Sequence, residues 1–304
     1  METPIADGPF FLMRPPYRGL DPVPRPSRLS PSIGLTGAAL VWCMRAEETR
    51  DPDPVQEVRR RPGGVGLLVV LPPAAAVPDK DRVLRMIEFC RPAAVMPYHE
   101  EPHLDDLTTL LGAPPDDLAA RAVDFLRWRG LPLDLEMRRL VRRTLELSAE
   151  LRSVNALARG IYLSRRALGR RFTACGLPVP SHWLHAARLV RAVIRLQRTD
   201  TSLSSVSYDL GYPDAFALSN QMKRLAGVRP SEIRGRLGWE WFLETWLQRE
   251  ARDGGFDEAI ARRLLRSSPQ AYPRAGATVG APVPNPESTT RAVPHRSPDH
   301  VRHT

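Results

Sequence analysis

The chain has 304 residues, 42% of them hydrophobic, and a formal charge of +10 from 44 basic and 34 acidic side chains. That length can bury about two cores, and the charge suits a polyanionic partner, because a basic surface attracts phosphate whatever the base sequence. The longest apolar run, Val65 to Val77, is interrupted by Pro72 and Pro73 and falls short of the ~20 residues a spanning helix needs. No basic segment followed by an apolar core marks a secretory signal, so a soluble, cytoplasmic and nucleoid-associated protein with no membrane partner is expected.

Lysine occurs only at Lys80 and Lys223; the remaining basic residues are arginine. An arginine-rich codon bias accounts for that ratio as well as function does, but not for where the arginines sit. Cys43, Cys90 and Cys175 are far apart, with no pair at a metal-ligand or redox spacing. They read as buried thiols in a reducing compartment, and no cofactor or metal is expected.

In chain order, residues 1–34 are crowded with proline ("RPPYRGLDPVPRPSRLSPS"), which suppresses helix and internal strand, so a disordered tail is expected. Residues 35–131 alternate. "AALVWCMR" (Ala38 to Arg45), "GVGLLVVLPP" (Gly64 to Pro73) and "AAVMPYH" (Ala93 to His99) are strand-like, and "DKDRVLRMIEFCR" is helical. Such alternation implies a small α/β domain with a parallel sheet. "PDDLAARAVDFLRWRG" then reads as a helix with acids at its start and glycine at its end, and the turn "GLPLD" marks the domain boundary.

Residues 132–266 are helical throughout, and residues 267–304 are again poor in core formers and expected to be disordered. The predicted class is therefore α+β overall: a small α/β domain followed by an all-α domain with extra C-terminal helices. Within the helical part, Ser153 caps a short helix whose Leu157 and Ala158 face inward. After a turn containing Gly160, Ser164 caps a second, with Leu168 and Phe172 on one face and Arg165, Arg166, Arg170 and Arg171 facing solvent. A second pair repeats this grammar: Ser202 caps, Leu203, Val206 and Leu210 face inward, Gly211 turns, and from Asp214 Leu218, Met222 and Leu225 form buried rungs. Two short helices with a tight turn and a polar second helix place a helix in a major groove. Periodicity alone allows equally for two helical hairpins of an ordinary all-α domain.

Residues from about Leu135 to Arg236 resemble the AraC/XylS class of bacterial transcription regulators. Leu157, Ala158, Ser164, Leu168, Arg170 and Phe172 fit the first unit of that class, and Trp183, Arg188 and Ala192 fit its linker helix. Gly211, Tyr212, Asp214, Leu218, Lys223, Gly227 and Pro230 fit its second unit. Departures are Phe216, Asn220, Met222 and Arg229, and a loop "GLPVPSHW" one residue longer than usual. The resemblance implies a double helix-turn-helix domain that binds double-stranded DNA in successive major grooves, with no enzymatic activity.

By position it implies that Arg166, Gly169 and Arg170 face the groove in the first unit, where arginine's fork of donors fits guanine O6 and N7. In the second, Ala215, Phe216, Ser219 and Asn220 hold the exposed positions, with Asn220 suited to adenine and Phe216 to a thymine methyl. Arg165, Arg171, Lys223 and Arg224 suit phosphates. RNA polymerase and a second copy, through the N-terminal domain, are further candidate partners. A nonspecific, architectural nucleic-acid binder is the competing reading.

The α/β segment invites comparison with a response-regulator receiver, yet "LLVVLPP" ends in prolines with no phosphoacceptor acid, which implies a degenerate one. "HEEPH" (His99 to His103) matches the zinc-protease pattern literally, but Pro102 sits where a helix N–H should bond. His182 and His185 read as linker-helix surface.

Overall fold

The computed structural model describes residues 8–29, 35–51, 53–77, 79–97, 102–198 and 200–266. The described residues belong to one compact unit. The tail expected over 267–304, and His99 to Glu101 of the "HEEPH" run, lie outside the described residues.

Five strands form one sheet: β1 (Phe10–Met13), β2 (Asp21–Pro22), β3 (Ala39–Cys43), β4 (Gly66–Val70) and β5 (Ala94–Met96), in the order β2-β1-β3-β4-β5. β3, β4 and β5 are parallel, joined through α1 (Asp53–Arg59) and α2 (Lys80–Cys90). β4 is buried along its whole length, as its unbroken apolar run requires of a strand covered on both faces. One face, with Leu40, Trp42, Leu67 and Val69, meets Val55, Val58, Val83 and Ile87 of α1 and α2. The other, with Val41, Leu68 and Val70, meets Leu107 and Leu111 of α3 (Leu104–Gly112).

Two expectations change here. The proline-rich segment is not a tail over residues 8–29: "FFLM" pairs β1 antiparallel with β3, because four consecutive apolar residues outweigh the surrounding prolines once a partner strand is present. The sheet is consequently mixed rather than parallel throughout, and the comparison with a receiver gains no support from it. Cys90 is fully buried, and burial pushes its thiol up to about 12, which leaves it inert. Cys43 and Cys175 are half-buried rather than sealed.

The helical part comprises α4 (Leu118–Trp128), α5 (Leu135–Leu147), α6 (Val154–Gly160), α7 (Arg165–Ala174), α8 (Pro180–Leu196), α9 (Leu203–Asp209), α10 (Ala215–Ala226), α11 (Pro230–Arg234), α12 (Glu240–Arg252) and α13 (Glu258–Leu265). One apolar core runs through them, from Phe125 and Val141 to Leu189, Trp246 and Leu264. None of the helices among the described residues is long and apolar enough to cross a membrane.

α12 and the residues before it tie this core to the sheet layer. Arg129 of the α4 terminus makes a two-pronged contact with Glu244, both bonds at 2.6 Å, and Arg91 at the end of α2 reaches Glu240 at 3.0 Å. All four side chains are buried. Such pairs fix geometry more than they stabilise, because desolvation offsets most of the attraction. Tyr17 adds a neutral tie: its hydroxyl donates to Gly37 O at 2.7 Å and accepts from the Leu237 N–H at 2.6 Å.

Candidate nucleic-acid interface

Each of the four short helices opens on the cap its sequence offers. Ser153, Ser164, Ser202 and Asp214 accept from the backbone N–H three residues on, at 3.2, 3.1, 3.0 and 2.7 Å. A side-chain oxygen at this position satisfies one of the orphan donors of the first turn, which is why seven-residue helices such as α6 and α9 start where they do.

α6 and α9 also end alike. After α6, the Tyr162 N–H donates to Arg159 O at 3.0 Å and the Leu163 N–H to Ala158 O at 2.9 Å. After α9, Gly211 N–H donates to Tyr208 O and Tyr212 N–H to Ser207 O, both at 2.8 Å. This is the Schellman closure, whose pivot takes a left-handed backbone. The pivots are Tyr162 (φ 59) and Gly211 (φ 70). The first turn therefore does not pivot on Gly160, which is the last residue of α6.

α7 and α10 face outward from this frame. Leu168 and Phe172 anchor α7, and Leu218, Met222 and Leu225 anchor α10, all buried. That leaves Arg165, Arg166, Arg170 and Arg171 exposed on α7 with Gly169 half-buried between them. On α10, Phe216, Asn220, Lys223 and Arg224 are exposed, and Ala215 and Ser219 are half-buried. Phe216 is 73% exposed, an unusual place for an aromatic ring unless something covers it. A Cβ added at Gly169 would meet nothing within 4 Å, so packing does not require glycine there. Arg171 is partly engaged already, at 2.6 Å from Glu136 of α5.

The two outward helices carry charge of one sign. Neither α7 nor α10 contains an acid, and no Asp or Glu occurs between Glu150 and Asp200. An uninterrupted basic stretch of this kind is the electrostatic footprint of a nucleic-acid surface.

α8 holds the two pairs. Its Trp183 ring lies 6.1 Å from Phe172 of α7 and 4.9 Å, edge to face, from Trp246 of α12. Further along, Arg188 donates to Leu210 O at 2.5 Å and stacks over the Tyr212 ring at 4.4 Å, gripping the second turn. Burial lowers the Arg188 pKa and raises that of Tyr212, but each partner opposes the other's shift. Arg191 ties the same helix to Ser148 Oγ and Leu145 O of the α5 end, at 3.0 and 2.8 Å. His182 is partly exposed and lies 3.0 Å from Glu250, so it contributes to the α8–α12 contact as well as to the surface.

Two exposed aromatics escaped the sequence reading: Tyr162, 96% exposed, and Tyr208, 82% exposed. The signal for Tyr162 was available: the chain must reverse between Ala158 and the cap at Ser164, and residues 161–163 contain no glycine.

Paired capped helices whose second members face outward have the form of helix-turn-helix units. Residues 157–236 match a family model described as a helix-turn-helix domain, of the AraC type found in DNA-binding transcription regulators. No curated protein matches the chain. Among solved structures, the xylose-binding transcription activator xylR is similar at 17% identity, over 62% of this chain and 56% of that one, with a TM-score of 0.32. The chain thus spans just over half the length of that structure, a likeness too remote to carry an argument.

Proposed function

We propose that the protein is a sequence-specific DNA-binding transcriptional regulator whose α7 and α10 enter successive major grooves, about one helical turn apart. The observation that supports this most is that two capped, acid-free helices with exposed polar faces are held by a single helix, α8, through Trp183 and Arg188. In this reading Arg166 and Arg170 read bases in one half-site, and Phe216 and Asn220 read the other. Ala215, Ser219 and Gly169 line the close approach, and Arg165, Arg171, Lys223 and Arg224 meet phosphates. A cytoplasmic, nucleoid-associated location follows from such a role. The sheet layer built on β1 to β5 would carry dimerisation, apart from the reading helices within 132–266, and contact with RNA polymerase belongs to the same proposal.

Selection of duplex DNA from a random pool by the full chain tests the reading. The expected result is a two-part motif with half-site centres about 10 base pairs apart, bound at least ~10³-fold more tightly than random DNA at fixed salt. Equal affinity for all duplexes would instead favour the architectural binder.

A further inference from the structure

Among the described residues, three non-glycine residues hold a left-handed backbone: Tyr17, Arg91 and Tyr162, at φ 62, 57 and 59. An L side chain there crowds the following carbonyl, so each instance needs a reason elsewhere. Tyr17 has one in its two hydrogen bonds to Gly37 and Leu237. Arg91 has one in its contacts with Glu240 and, at 2.9 Å, with Arg121 O.

Tyr162 has none among the described residues. It is 96% exposed, and neither its ring nor its hydroxyl has a partner among the described residues. The same closure is made with glycine after α4, α7 and α9, at Gly130, Gly176 and Gly211. Only after α6 does a tyrosine stand in that role among these four closures.

We propose that the Tyr162 hydroxyl donates a hydrogen bond to a DNA backbone phosphate beside the groove that α7 enters. The inference rests on the DNA-binding reading above. Tyr162 stands two residues before Ser164, the cap of α7, so it is at the end of that helix which leads into a groove. Arg159, Arg165 and Arg166 around it are exposed, and the nearest acids in sequence are Glu150 and Asp200, so the site favours an anion over a cationic or apolar partner. A tyrosine also offers its donor on a stiff side chain with two rotatable bonds, at low entropic cost.

The test uses the full chain and the variants Tyr162→Phe and Tyr162→Gly, with affinity measured on the selected duplex and on random duplex across a salt series. Tyr162→Gly is expected to raise Tm by about 2 to 4 °C, because glycine accepts the left-handed pivot. Both variants are expected to bind about three- to tenfold more weakly, on both duplexes alike, since a phosphate contact carries no base information. The slope of log affinity against log salt should stay unchanged, because the lost donor is neutral; loss of a phosphate-contacting arginine lowers it by about one. Wild-type affinity in Tyr162→Phe would overturn the contact and assign the exposed ring to another macromolecule. A lowered Tm in Tyr162→Gly would overturn the strain argument. If the wild type binds DNA without selecting a motif, the specificity reading fails while the phosphate contact is still measured on random duplex. No binding to either duplex would overturn both.

Discussion

The two helical pairs share side-chain caps, and their first helices share length and closure, but the pairs differ in what they expose. The first presents four arginines around Gly169 and turns on an exposed tyrosine. The second presents Phe216, Ser219 and Asn220, with its cations at the far end of α10, and turns on Gly211. Their turns are also held differently. A Cβ added at Gly211 would lie 2.0 Å from the Arg152 guanidinium, and Arg188 grips the same turn from α8, whereas no described residue grips the Tyr162 side chain. One scaffold thus carries a charged, loosely covered helix pair and a largely neutral, clamped one, so the grammar of the fold leaves the exposed face free to vary.

The largest test of that comparison is at the anchors. Phe172→Ala removes the ring that joins α7 to Trp183 and should destabilise the protein by about 3 to 5 kcal/mol, as a cavity beside a tryptophan does. Urea denaturation measures this; a loss below about 1 kcal/mol would show that the first pair is not held through α8.

At the reading faces, Arg170→Ala and Asn220→Ala should each weaken binding to the selected duplex by about 1 to 3 kcal/mol and relax the preference at one base pair. The relaxed positions should fall in different half-sites. Only Arg170→Ala should also reduce the salt dependence if the arginine meets a phosphate as well. An equal loss on random DNA would reject base readout for either residue, and relaxation in one shared half-site would reject the two-groove arrangement.

The smallest effect concerns the turns. Gly211→Ala should cost about 1 to 2 kcal/mol, since alanine is strained at φ 70 and Arg152 must move aside. The sign is opposite to that expected for Tyr162→Gly, and thermal melts of the two variants side by side compare the turns directly. A neutral Gly211→Ala would mean that Arg152 moves freely and the second turn is no more clamped than the first.

Much of this was legible in the residues alone. Ser153, Ser164, Ser202 and Asp214 mark helix starts because capping is a local bond, spanning three residues. Leu168 and Phe172, or Leu218 and Met222, mark buried faces because their spacing is that of one helical turn, and the exposed residues follow by subtraction. The first turn was misplaced at Gly160 because a glycine is a strong local signal, yet Gly160 closes α6 and the hydrogen bonds put the pivot two residues later.

What the sequence by itself determined is the helical grammar of α6 to α10 and the acid-free outer faces of α7 and α10. These follow from interactions within a few residues and from charge, which need no knowledge of the rest of the chain. The tertiary structure alone decided the rest: "FFLM" as a strand beside β3, the burial of Arg91 and Arg129 against Glu240 and Glu244, and the hold of Arg188 on the second turn. Each of those joins residues 20 or more positions apart in the chain, where periodicity says nothing and only the packed fold chooses the partner.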